Sequence, residues 1–277
     1  MAGKSDNWST EAYAAAASFV PKLATKVVSY LAVGENDHIL DIGCGDGPLT
    51  AQIAASASKG WVLGLDASPN FITTAKSKYT TGNCTFRLQD CTQMKSCAVA
   101  INGKWDKVFS NAALHWILRN PDTRTDVFTD IHAALKPNGL FVCEFGGKGN
   151  IAEVHAAILS ALVQYGVSID QARESCPWFF PSEKWLHDKL QETGFEVEKV
   201  ELENRPTKLT PKSADGSAGL QGWIKLMGAE MLKAVDEGLR EQVVRSASEI
   251  LETIITREED GSQWIGYVRI RAVARKA

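Results

Sequence analysis

The ten residues His38-Ile-Leu-Asp-Ile-Gly-Cys-Gly-Asp-Gly47 constrain this 277-residue chain more than any others. Ile39, Leu40 and Ile42 form a short apolar run suited to a buried strand. Gly43, Gly45 and Gly47 follow at alternate positions, where they allow a sharp turn and let a ligand approach the backbone without meeting a Cβ. Pro48 then fits the first turn of a helix, where its missing N–H costs nothing. A strand, a glycine turn and a helix in that order are how an α/β sheet holds a nucleotide-like ligand at the carboxyl end of its first strand.

The spacing narrows the ligand. A dinucleotide fingerprint reads G-x-G-x-x-G, whereas this run is G-x-G-x-G with Asp41 in the strand just before it. A carboxylate there repels a diphosphate and suits a cation. The ligand is therefore expected to carry a positive group near Asp41 and a carboxylate near the helix N-terminus, as the amino-acid end of S-adenosylmethionine does. A second strand, Trp61-Val-Leu-Gly-Leu-Asp66, ends in an acid about twenty residues on, the offset at which a carboxylate meets ribose hydroxyls. Ser68 and Pro69 suit the N-cap and first residue of the helix after it. A third strand, Cys84-Thr-Phe-Arg-Leu-Gln-Asp90, again closes on an acid, placed to accept from an adenine amino group while the Cys91 N–H meets a ring nitrogen. Taken singly, each acid also has a reading as a cap or a solvated turn, but all three in order at strand ends is hard to get by accident.

In these runs the chain resembles the class I S-adenosylmethionine-dependent methyltransferases. Three further stretches carry the resemblance: Gly64-Leu-Asp-Ala-Ser68, Asp106-Lys-Val-Phe-Ser-Asn-Ala-Ala-Leu-His-Trp-Ile117 and Leu135-Lys-Pro-Asn-Gly-Leu-Phe-Val-Cys-Glu-Phe145. Within that class, Asn111 followed by His115-Trp116 is most similar to the trans-aconitate methyltransferase group, whose members place a similar stretch beside the transferable methyl. The resemblance spans roughly residues 35 to 147. It implies an α/β fold, a Rossmann-like seven-stranded mostly parallel sheet with helices on both faces and helical lid insertions. It also implies cofactor contacts from Asp41, Gly43, Cys44, Gly45, Asp66, Ala67, Asp90, Cys91 and Asn111. A turn-forming role for Asn111 is an equal reading.

Composition bounds the partners. With 44% hydrophobic residues the chain can bury one sizeable core, read as a single methyltransferase domain over 1–277. A formal net charge of −3 without a Lys/Arg run longer than two disfavours nucleic acid. No apolar run reaches membrane-spanning length and the start is polar, so neither a membrane anchor nor a signal peptide is expected. The six cysteines form no C-x-x-C pair, which fits reduced thiols in a cytoplasmic protein and gives no support for a metal site. The oligomeric state stays open.

Periodicity predicts strands at 38–42, 61–66, 84–89, 106–110, 139–145 and Phe195–Leu202, with Trp264–Val273 a last, antiparallel strand at the sheet edge. Helices are expected over Ser9–Leu31 with a break near Pro21, Ile151–Gln164, Ser182–Glu192, around Leu220–Val235, and in a further segment carrying Leu239 to Ile255. Residues 1–34 are expected to form a helical cover over the cofactor, with Trp8, Tyr13 and Phe19 helping. Segments 148–181 and 204–262 exceed the minimal sheet and are expected to fold over its carboxyl edge as substrate-binding insertions.

Methyl transfer from a sulfonium is an in-line displacement, so nucleophile, methyl carbon and sulfur must be aligned in a water-poor pocket. His115, beyond the fourth strand, is the candidate catalytic group, either as a base or as a group that binds or orients the acceptor. Trp116, Trp178, Phe179 and Arg205 are the other candidate substrate contacts: three rings to wall a pocket and one cation for a carboxylate. The acceptor is expected to be a small molecule methylated on oxygen or nitrogen, with carboxyl methylation and the tailoring of a specialised metabolite of equal weight. The segment Glu144-Phe-Gly-Gly-Lys-Gly-Asn150 departs from the trans-aconitate group. The alternative is a methyltransferase-fold protein that binds the cofactor without transferring methyl, as a regulatory partner or in a non-methyl step.

Overall fold

In a computed structural model that describes residues 24–213 and 216–277, the alternating strands and helices close into one seven-stranded sheet ordered β3-β2-β1-β4-β5-β7-β6. The strands are β1 (His38–Ile42), β2 (Trp61–Asp66), β3 (Cys84–Leu88), β4 (Trp105–Asn111), β5 (Leu135–Gly146), β6 (Phe195–Lys208) and β7 (Trp264–Lys276). The pairs among β1 to β5 are parallel, and β7 runs antiparallel to β5.

Alternation along the strands sorts the helices to two faces. Leu40, Ile42, Phe141 and Phe145 join a core with Phe128 and Ile131 of α5 (Arg124–Ala134) and Leu186 and Leu190 of α8 (Glu183–Glu192). Ile39, Phe109 and Val142 face the other way, toward α1 (Thr25–Leu31), α2 (Pro48–Ser56) and α3 (Pro69–Tyr79). Pro48 is the first residue of α2, and Ser68 caps α3 by accepting the Phe71 N–H at 3.1 Å. These starts match the sequence expectation.

The described chain divides into two compact units. The sheet unit holds the chain through Lys148 together with Phe179–Glu203 and Arg269–Ala277. The insertion unit gathers Gly149–Trp178 and Asn204–Val268, so that the two long insertions fold with each other, and β6 and β7 give residues to both. Within it, α6 (Ala152–Gln164) packs on α11 (Arg240–Ile255) through Val154, Ile158, Val243 and Leu251. The single helix expected around Leu220–Val235 is broken at Gly228 into α9 (Gly219–Met227) and α10 (Ala229–Leu232). The expected N-terminal cover, with Trp8, Tyr13 and Phe19, lies outside the described residues apart from α1.

One expectation is corrected. The last strand is antiparallel but does not lie at the edge: β7 sits between β5 and β6. Its residues Arg269 to Ala274 are all buried. Two arginines in that run mimic a solvent-facing strand, yet both are neutralised inside. Glu144 of β5 takes Arg269 Nε on one carboxylate oxygen at 3.2 Å and Arg271 Nε on the other. Arg271, fully buried, also reaches Glu203 at 2.8 Å and Glu201 at 3.3 Å, and Lys26 of α1 closes the network on both glutamates. Salt links at Glu203 hold its carboxyl down at about 2, the bonds from Arg271 and Lys26 being the leading causes. Removing one member of a buried ion network strands the others. Arg271→Met is therefore expected to cost about 3–5 kcal/mol in urea unfolding, and Glu203→Gln, at the half-exposed end, about 1 kcal/mol or less.

Candidate functional site

The strand order reverses between β1 and β4, and in an open α/β sheet the crevice beyond the carboxyl ends at such a point is where ligands bind. Two turns meet there: the glycine turn after β1, and the segment from Ala112 into α4 (Leu114–Ile117) after β4. Gly43 joins them. Its φ is +74°, and a Cβ built on it would lie 2.1 Å from the Cβ of Ala113. The N–H groups of Gly43 and Cys44 both donate to Leu65 O, at 2.8 and 2.9 Å, which ties the turn to β2. On the other side Ala112 adopts φ +58°, a left-handed conformation that costs a residue with a Cβ about 1–3 kcal/mol and persists only where neighbours enforce it.

The three acids take different environments. Asp41, 2% exposed, accepts the Thr50 hydroxyl of α2 at 2.6 Å. Burial pushes its carboxyl up to about 7, against the Thr50 bond and with help from the charge of Asp66. Asp66 holds the turn together: Oδ2 accepts the Gly45 N–H and Oδ1 the Ser68 N–H, both at 2.9 Å. Asp90 caps a 3-10 turn, Oδ1 taking both the N–H and the hydroxyl of Thr92 at 3.0 and 2.7 Å. Ala67 is exposed beyond β2. The Cys44 and Cys91 thiols are buried, and burial pushes both far up, so neither is a nucleophile at neutral pH. Asn111 ends β4, and its side-chain Oδ1 is buried without a hydrogen-bond partner among the described residues. A buried carbonyl oxygen left open at the head of a crevice is an acceptor waiting for a donor. Among the described residues no cluster of His, Cys, Asp or Glu fits a metal ion.

His115 lies in α4 and is 9% exposed. Its Nδ1 accepts the Gly146 N–H at 3.3 Å, so the proton of the neutral ring belongs on Nε2. Burial, and then the positive charge of Arg269, hold the imidazole well below its ordinary value. At neutral pH it is thus a neutral N–H donor. Two rings flank it: Trp116 at 5.4 Å and Phe180 at 5.8 Å between centroids. Phe180 is pinned from both sides, because the Phe179 N–H donates to His115 O at 2.9 Å and Pro181 O accepts the Lys148 N–H at 2.7 Å.

Of the aromatic run, the member that meets His115 is Phe180, which the sequence reading did not single out. In this strap Phe179 is engaged with other partners. Its ring carries the Arg124 guanidinium 3.4 Å from its centroid and meets Trp185 edge-on. Trp178 belongs to the insertion unit, where it packs on His155 and on Trp223, whose indole N–H donates to the Tyr267 hydroxyl. Arg205 lies half-buried on β6 in the same unit. In the sheet unit, the buried cation whose charge acts on His115 is Arg269.

Comparison with known proteins gives the family and the fold. A family model described as "Methyltransferase domain" matches residues 39–139, from β1 to the start of the β5 core. An uncharacterized methyltransferase of Schizosaccharomyces pombe is 34% identical over 275 residues, 98% of each chain. The trans-aconitate 2-methyltransferase of Deinococcus radiodurans is 34% identical over 84 residues, 30% of each chain. Among solved structures, a putative methyltransferase from Bacillus halodurans shares the fold with a TM-score of 0.60, at 15% identity over 92% of this chain and 99% of that one.

Two positions of the glycine turn give a direct mutational contrast. A Cβ on Gly45 would meet nothing within 4 Å. Gly45→Ala is therefore expected to cost only the left-handed strain, about 1–2 kcal/mol. Gly43→Ala adds overpacking against Ala113 and is expected to cost about 2–5 kcal/mol in all. Chemical denaturation of the two variants reads the difference.

Proposed function

The chain belongs to the class I S-adenosylmethionine-dependent methyltransferases, and from that premise we propose that it methylates an oxygen of a small organic acid, forming a methyl ester. The observation that carries the acceptor class is the state of His115. With Nδ1 occupied by the Gly146 N–H and the ring held neutral, His115 offers a proton donor and no free lone pair for a base. A carboxylate is already ionised and needs orientation, whereas a phenol or ammonium must first lose a proton. The positive charge of Arg269 beside the ring further favours an anion.

S-adenosylmethionine is the methyl donor of the family, and the crevice suits it. The unpartnered Asn111 Oδ1 and the carboxylate of Asp41 answer its ammonium, directly or through water. The unobstructed Gly45 and the N-terminus of α2 suit its carboxylate. Asp66, the acid that closes β2 and braces the glycine turn, is assigned to the ribose hydroxyls. Asp90 and the Cys91 N–H are assigned to the adenine, with Gly43, Cys44 and Ala67 as backbone neighbours of the same ligand.

When bound, that cofactor supplies an electrophilic methyl on a sulfonium. The chain's part is placement. The His115 Nε2–H donates to one acceptor oxygen and leaves the other free to face the methyl in line, while Trp116 and Phe180 keep water from the reacting atoms. No proton has to be removed. The substrate is read as a small molecule rather than a nucleic acid because the net charge is −3. Among the described residues no helix is long and apolar enough to cross a membrane, and six cysteines outside disulfides fit a cytoplasmic setting.

The test is transfer of a labelled methyl to a panel of di- and tricarboxylic acids, phenols and primary amines. Base-labile esters of the acids are expected, with His115→Ala lowering kcat/KM by roughly 100-fold, the scale of one lost transition-state hydrogen bond. Label confined to phenols or amines contradicts the acceptor class. Cofactor binding with no product from any class would instead support a methyltransferase fold serving another role.

Asp41 gives a second expectation. Below its value of about 7 the acid is protonated and must release its proton to face a cation. Affinity for S-adenosylmethionine measured by calorimetry should therefore tighten as pH rises toward 7. The rise should be up to about tenfold per unit, levelling off before the cofactor's own α-amino group deprotonates near ~8. Asp41→Asn should abolish that slope.

A further inference from the structure

We propose that Arg269 is a positioning residue for the transfer: it clamps the carboxyl edge of the β5–β7 pair so that the Gly146 N–H stays on His115 Nδ1 and the Nε2–H is left for the acceptor. The inference rests on the reading of His115 as an orienting donor, and it adds a residue that none of the sequence motifs contains.

The register supplies the geometry. Gly146 closes β5 and stands directly opposite Arg269, while Glu144 stands opposite Arg271. Alternation puts Glu144 and Gly146 on one face of β5, facing the two arginines. Arg271 makes the straight cross-strand tie to Glu144 Oε2, and Arg269 makes the diagonal one to Oε1 at 3.2 Å. Only the diagonal tie reaches the last pair of the ladder, where Gly146 turns its N–H to the imidazole. All three charged side chains are buried, so the clamp is made without water competing for it.

The charge of Arg269 works in the same direction as its geometry. The charged groups of the strands that meet α4 include Asp41 on β1, Glu144 on β5 and Arg269 on β7, and the strap Phe179-Phe180-Pro181 brings none. Of these, it is the charge of Arg269 that acts on His115, and it opposes an imidazolium. Loss of the guanidinium thus removes the brace on Gly146 and the barrier to protonation together.

Histidine-labelled protein tests this without any acceptor. The chain has five histidines, and His115→Asn assigns the signal in two-bond proton–nitrogen spectra recorded from pH 5 to 8. In the wild type, His115 is expected as a single Nε2–H tautomer that stays neutral below the ordinary imidazole range. Arg269→Met should give mixed tautomers and an upward-shifted titration. Arg269→Lys, which keeps the charge without the guanidinium fork, should fall between and carries the comparison if the methionine variant does not fold. Glu203→Gln, which loosens the same ion network at its far end, should leave the His115 signals unmoved. A wild-type Nδ1–H tautomer overturns the proposal. So do Arg269 variants that melt earlier yet keep the wild-type His115 signals. A barren acceptor screen would strike the ester reading alone, since the tautomer is read in the free enzyme.

Discussion

A methyl group on Gly43 would lie 2.1 Å from the Cβ of Ala113, and that lack of room fixes the distance between the two halves of the site. One half is the glycine turn, bound to β2 through Leu65 O and braced by Asp66 from Gly45 to Ser68. The other is the left-handed Ala112 and the short helix that carries His115. Neither turn is rigid by its own sequence. The sheet brings the strand ends together at the reversal of order, the missing side chain lets the turns touch, and the strain at Ala112 is held by the ladder on each side.

Electrostatics divides along the same line. On the β5–β7 side charge is buried in balanced form, with Glu144 serving two arginines and Lys26, Glu201 and Glu203 completing the network. On the β1 side Asp41 is buried with one hydroxyl for company, and its carboxyl is pushed up to about 7, chiefly by burial. The first arrangement is settled without a ligand. The second is the pattern of a group kept for binding rather than stability, which is the role proposed for it. His115 sits between them, neutral and with one nitrogen already occupied, which suits it to steer an anion more than to take a proton.

The local structure of the β1 side was legible because its signals are local. Strand, glycine turn and proline lie within a dozen residues, and Asp66 and Ser68 announce the next strand end and helix start. β1 and β2 fall where the apolar runs place them, and membership of the methyltransferase family follows from the same motifs. The β5–β7 side was less legible because its signals are cross-strand. Arg269 and Arg271 look like solvent-facing residues until Glu144, more than a hundred residues earlier, is known to stand beside them. β7, expected at the edge, is an inner strand whose buried charges depend on that pairing. Phe180 was hidden for a simpler reason: nothing in the identities of Trp178, Phe179 and Phe180 says which ring meets His115. The break at Gly228 likewise depends on packing that no helical period reveals.

The central claim is that the crevice between β1 and β4 seats S-adenosylmethionine with its methyl facing His115. A crystal structure of the protein with S-adenosylhomocysteine tests it most directly. The account places the amino-acid end at the glycine turn and Asn111, the ribose at Asp66 and the thioether sulfur on the His115 side. A ligand seated elsewhere, or one that leaves Asn111 Oδ1 without a partner, would contradict it.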